Sequence, residues 1–126
     1  MLLQQALDLK TATDFLLWGI VLHLIADWLL QNEAMATHKT SLRHPLAYVH
    51  SGIHLIANLI LFPPLVALGI AFLHLLIDTR KPLAWWRKKF QQTLEGPMAP
   101  HVSIWTDQVA HVAVLATAAW MTVHIL

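Results

Sequence analysis

Four times this chain sets two metal-ligand side chains four residues apart: His23/Asp27, His50/His54, His74/Asp78 and Asp107/His111. Four residues turn an α-helix by about 400°, so both members of each pair leave nearly the same face. Each pair sits inside a long apolar stretch, where an ionisable side chain is costly and marks a site that looks inward. Imidazole and carboxylate suit Zn, Fe, Mn or Ni, and a chain without cysteine offers no thiolate for Cu(I), for an iron–sulfur cluster or for nucleophilic attack. The expected ligands are therefore His23, Asp27, His50, His54, His74, Asp78, Asp107 and His111. Three ionised aspartates would leave three negative charges in a low-dielectric interior. Two divalent cations with one hydroxide cancel them, so two ions are expected, zinc first, with iron or manganese as alternatives. A single His-x-x-x-Asp can equally be a hydrogen-bonded helix pair; four such pairs on four segments ask for more than that.

The neighbours extend the site. Gln31 stands four residues after Asp27, and Asn58 four after His54, where an interhelical hydrogen bond is the plainer role. Lys81 and Gln108 lie beside the pairs in sequence, and Lys39, in the loop before the second apolar segment, can reach over them. Gln31, Lys39, Lys81 and Gln108 are the expected substrate contacts, although ordinary interfacial charge accounts equally well for the two lysines. Asp27 or Asp107 is the expected catalytic carboxylate, binding metal or accepting a proton. His38, His44 and His101 fall in or near loops and His124 at the far end of the last segment, so they are left out.

The elements that must carry these residues are helices. Apolar segments run over about 14–31, 45–62, 64–79 and 102–125, and Pro63-Pro64 divides the second from the third, because proline removes a donor and clashes with the preceding turn. A crossing takes about 20 residues with about 17 as the usual lower limit, so the first and third segments are short and must tilt or gain polar turns. At 57% hydrophobic and 12% charged, with mean hydropathy +0.57, the 126 residues have too little polar sequence to cover a soluble bundle. One domain over 1–126 is expected: an all-α, integral membrane four-helix bundle with short loops and an interfacial segment near 82–95. The N-terminal stretch MLLQQALDLKTATD is too acidic and too weakly apolar for a signal peptide, so the first apolar segment is expected to be retained.

Charge sets the orientation. Seven of the eight Lys and Arg residues fall in the two segments 32–44 and 79–101, and the positive-inside rule places those segments in the cytoplasm with both termini outside. Trp85-Trp86-Arg87-Lys88-Lys89 suits that interface, aromatics at headgroup level and cations toward anionic lipid. In this orientation every His/Asp pair falls within about 15 Å of the cytoplasmic boundary, at 1.5 Å rise per residue. Four pairs at one depth can converge.

At these motifs the chain resembles a bacterial family of small membrane proteins known as domain of unknown function 3307. The resemblance rests on His23-Leu-Ile-Ala-Asp27-Trp-Leu-Leu-Gln31, Lys39, His50-x-x-x-His54, His74-Leu-Leu-Ile-Asp78 with Lys81, and Asp107-Gln108-x-x-His111, across residues of about 15–115. It implies a multi-pass protein of the bacterial inner (cytoplasmic) membrane and brings no activity with it. The chain is also similar in style, more loosely, to membrane-bound metal-dependent hydrolases, and that likeness does not establish function.

The leading expectation is a dinuclear metal-dependent hydrolase at the cytoplasmic membrane face, acting on an amphiphile such as a phospholipid or polyprenyl phosphate, with Lys39 or Lys81 pairing the phosphate. No nucleophile elbow is present, which argues against a covalent serine route. A di-iron lipid oxidase is a second reading, weakened by the lack of adjacent histidine pairs. A third is non-catalytic: a structural metal, or a metal or proton conduit, for which the outer halves of the segments offer few polar residues beyond Thr117, Thr122 and His124. The expected surroundings are the lipid bilayer and no nucleic acid. Gly52 and Gly69 would allow close packing with a second copy, which leaves a homo-oligomer open.

Overall fold

The structure, a computed structural model, describes residues 7–126; the first six, part of the N-terminal stretch expected to be retained, lie outside the described residues. Among the described residues there are six α-helices, one π-helical turn and no strand. Helix α1 (Ala12–Leu24) runs directly into the π-turn Ile25–Leu29, and α2 (Glu33–His38) follows. Then come α3 (Pro45–Leu61), α4 (Pro64–Asp78), α5 (Lys81–Lys89) and α6 (Ala99–His124).

Local chemistry explains the starts. Thr11 and Asp14 form a capping box: the Asp14 N–H donates to Thr11 Oγ1 at 3.1 Å, and the Thr11 N–H donates to Asp14 Oδ2 at 3.0 Å. Asn32 caps α2, its Oδ1 accepting from the Met35 N–H at 2.9 Å. Prolines open α3 and α4, where their missing N–H and fixed φ are harmless. The expected interfacial segment is helical over Lys81–Lys89, and the short α2 inside the first basic segment adds a helix that periodicity did not reveal.

Four helices close a ring. α1 packs on α3 and α6, and α4 packs on the same two. Each turns one stripe inward: Phe15, Gly19 and His23 from α1; Ala67, Ile70, Ala71, His74 and Asp78 from α4; Asp107, His111, Leu115, Ala118 and Ala119 from α6. At the end where Pro63-Pro64 turns, the interior is apolar, built around Phe15, Leu61, Phe62, Ile70 and Leu115. The Phe15 and Phe62 rings meet at 5.8 Å between centroids. Gly19 packs beneath this contact, where a Cβ would stand 3.5 Å from both Leu115 and Phe62, an ordinary van der Waals distance.

At the other end the interior is polar and the outer wall is not. There Trp28, Leu29, Trp105 and Val109 are exposed, Leu29 to 77%, while eight His and Asp side chains are buried. Only one helical run among the described residues, Ala12–Leu29, is both long and apolar enough to cross a bilayer; α3 and α4, at 17 and 15 residues, are apolar but shorter.

Candidate metal centre

All eight residues of the four His/Asp pairs are buried in one cluster, supplied by α1, the π-turn, α3, α4 and α6. The four-residue spacing acts as expected within three of the pairs: His74 Nε2 lies 3.0 Å from Asp78 Oδ2, His111 Nδ1 3.4 Å from Asp107 Oδ2, and His23 Nε2 3.6 Å from Asp27 Oδ2. Contacts between helices are just as short. His50 Nε2 stands 3.1 Å from Asp27 Oδ1, 3.2 Å from Asp78 Oδ2 and 3.1 Å from His74 Nε2. His54 Nε2 is 3.3 Å from Asp27 Oδ1, and His111 Nε2 is 3.6 Å from Asp78 Oδ1.

These separations have a chemical meaning. Ligand atoms bound at about 2.0–2.1 Å at the corners of a tetrahedron stand ~3.3 Å apart. A neutral imidazole carries one N–H, so His50 Nε2 cannot serve three neighbours by hydrogen bonding alone. Five buried atoms of the cluster (Asp27 Oδ1, His50 Nδ1, His54 Nε2, Asp78 Oδ1 and His111 Nε2) have no hydrogen-bond partner. Such a buried atom costs about 1–3 kcal/mol, and an ion among them would remove the deficit. His111 has the ligand tautomer in place: its Nδ1–H donates to the Asp107 backbone carbonyl at 2.9 Å and leaves Nε2 to face Asp78. Two sets of side chains could each hold an ion, Asp27 with His50, His54 and His74, and His74 with Asp78 and His111.

His23 and Asp107 are brought to the edge of these sets rather than into them. Gln108 ties both in. Its carbonyl accepts from His23 Nε2 at 3.3 Å, and its amide donates to Asp27 Oδ2 at 3.1 Å and to Asp107 Oδ2 at 3.2 Å. Gln108 thus orients carboxylates.

Lys39 behaves unlike a loop lysine. It is 7% exposed at the end of α2, with Nζ 3.7 Å from Asp27 Oδ1 and 3.6 Å from Asp78 Oδ1. Lys81 goes the other way: it is exposed, and its ammonium makes no contact with the cluster. Asn58 donates to the His54 backbone carbonyl at 2.7 Å, within its own helix.

A cleft of about 170 Å³ opens beside the cluster. Asp27, Asp107, Gln108, Lys39 and Gln31 line its inner side, and Trp28, Ile104 and Arg80 its rim. Sequence reasoning passed over Arg80, which looked like one of several interfacial cations. Its backbone is left-handed, φ 61°, which costs a non-glycine residue about 1–2 kcal/mol. The π-turn was equally hidden. Its extra residue lets adjacent Ala26 and Asp27 both face inward while Trp28 and Leu29 face out, and such turns concentrate at functional sites.

The family model described as protein of unknown function (DUF3307) matches residues 15–126, and the chain belongs to that family. No curated protein and no solved structure matches it, so the looser likeness to membrane-bound metal-dependent hydrolases has no support there.

Proposed function

We propose that this DUF3307 protein is a multi-pass membrane protein whose four long helices hold two divalent ions and hydrolyse an ester of an amphiphile at the cytoplasmic membrane face. The observation that carries the reading is the convergence of imidazole nitrogens and carboxylate oxygens from four helices at 3.0–3.6 Å, the spacing of a coordination shell. Asp27, His50 and His54 would hold one ion and His74, Asp78 and His111 the other. Three protein ligands each is the count of a site that keeps a position open for chemistry. The ions would supply Lewis acidity and activation of water.

The chain's own groups do the rest. Gln108 donates to both Asp27 and Asp107, and Asp107, which lines the cleft, would take a proton from an incoming water. Lys39 changes the charge balance: beside three aspartates it leaves a deficit of two, which one ion cancels. A second ion then calls for anionic partners, and an anionic substrate beside hydroxide supplies them. The membrane setting draws on the outward Trp, Leu, Ile and Phe side chains around a polar interior, since an apolar outer wall suits lipid. The basic segments around α2 and α5 flank the site end and favour the cytoplasmic side of a bacterial inner membrane.

A metal-free lock is the second reading, and Lys39 is the observation that favours it, because a buried cation between two carboxylates partly satisfies them unaided. Elemental analysis of detergent-purified protein separates the two. About two equivalents of zinc or manganese are expected, lost in His50→Ala/His54→Ala and retained in His124→Ala. Two equivalents of iron would redirect the reading to oxygen chemistry on lipid. No metal in the parent, even after reconstitution, would sink both metal readings.

A further inference from the structure

The cleft beside the cluster has a rim cation that the hydrolytic reading does not use. Lys39, the inner cation, is already placed against Asp27 and Asp78. Arg80 also lines the cleft, and it makes no ion pair with any described carboxylate. Its left-handed backbone is a conformation that glycine adopts freely and arginine does not. A turn needed only to join α4 to α5 would be better served by glycine.

The other groups at the cleft describe the ligand. Gln31 Oε1 is buried without a hydrogen-bond partner, so it offers an acceptor to a ligand O–H. The volume of about 170 Å³ is below the roughly 300–1,000 Å³ of sites that enclose whole small molecules. A group enters here and the remainder of its molecule stays outside, against exposed Trp28 and Ile104. A guanidinium presents a planar fork of donors that matches the oxygens of phosphate.

Resting on the metal reading above, we infer that Arg80 recognises a phosphate group, the headgroup of an amphiphile that the centre would act on. Lys39 neutralises the centre and Lys81 stays outside it. Gln31 accepts from a protonated phosphate oxygen or a neighbouring hydroxyl, and the ligand's chain lies along the apolar wall beside Trp28.

The test is calorimetric titration of the metal-loaded, detergent-solubilised full chain and of Arg80→Gly with inorganic phosphate and with dodecyl phosphate. The glycine variant suits the backbone, so the fold holds, and elemental analysis should find parental metal content in it. Phosphate affinity is expected to fall roughly 10–100-fold, as for loss of a charge-assisted pair, with partial recovery in Arg80→Lys. Dodecyl phosphate binding at least tenfold more tightly than inorganic phosphate assigns the group to an amphiphile; equal affinities assign it to free phosphate and overturn the amphiphile. Undiminished affinity in Arg80→Gly, or no phosphate binding by the parent, overturns the assignment of Arg80. Arg80-dependent binding in a protein that retains no metal keeps the phosphate cleft and overturns the metal reading instead.

Discussion

Along each of the four long helices, one end gives the interior Phe, Leu, Ile or Ala and the other gives it His and Asp. Phe15 and His23 share a face of α1; Ile70 and His74 share one of α4; His111 and Leu115 share one of α6. The backbone geometry is the same in both layers, and what holds them together is not. The apolar layer needs only volume and shape, with Phe15, Phe62 and Leu115 meeting over Gly19. The polar layer brings three carboxylates out of water, and although Lys39 stands 3.6–3.7 Å from two of them, several of its buried polar atoms have no hydrogen-bond partner. One layer is closed by packing alone, and the other leaves buried polar atoms without a hydrogen-bond partner.

That contrast can be broken most directly at Asp78, whose oxygens face His50, His74, His111 and Lys39. In Asp78→Asn, bound metal should fall by at least tenfold on elemental analysis, while helix content by circular dichroism stays; undiminished metal would mean that the layer is complete without an ion. Phe62→Ala probes the opposite layer. It should cost about 3–5 kcal/mol of stability in denaturant titration, with metal stoichiometry unchanged; loss of metal in that variant would show that the layers are one unit.

Lys39→Met sharpens the comparison. With metal in place its effect on stability should stay below about 1 kcal/mol, whereas a charge lock that works alone would lose about 3–5 kcal/mol when a buried partner is removed. The smallest change is expected for Gly19→Ala. The new methyl would meet Leu115 and Phe62 at 3.5 Å, ordinary contact, and alanine gains up to about 1 kcal/mol of helix propensity. A thermal midpoint equal to or slightly above the parent's should result, and a large drop would mean that this layer has no slack.

The two layers were not equally readable in the sequence. The polar pairs were, because ionisable residues at four-residue spacing in apolar runs stand out against their background, and helical geometry alone puts each pair on one face. Pro45 and Pro63-Pro64 marked helix boundaries close to those observed, since proline acts locally. The apolar layer was harder: nothing near Phe15 or Leu115 distinguishes them from the outward Leu17 or Val109, and only the partner helices select the inward stripe. The π-turn depends on a shifted backbone register that no residue type dictates. The burial of Lys39 and the left-handed Arg80 follow from how α2 and α5 fold back toward the ring, so sequence position alone ranked Lys81 with Lys39 and overlooked Arg80. Helix α2, six residues long, has too few turns to show a period.

The Phe15–Phe62 contact has one more consequence. With Leu61, Ile70 and Leu115 it stoppers the far end of the ring, and all five side chains are at most 6% exposed. The cleft beside Trp28 and Arg80 lies toward the opposite end, next to the centre. A ligand that entered by this cleft, with the apolar layer closed behind the centre, would leave by it before another could enter. On the hydrolytic reading proposed above, departure through that cleft would pace turnover, and a released phosphate group would compete with the next substrate.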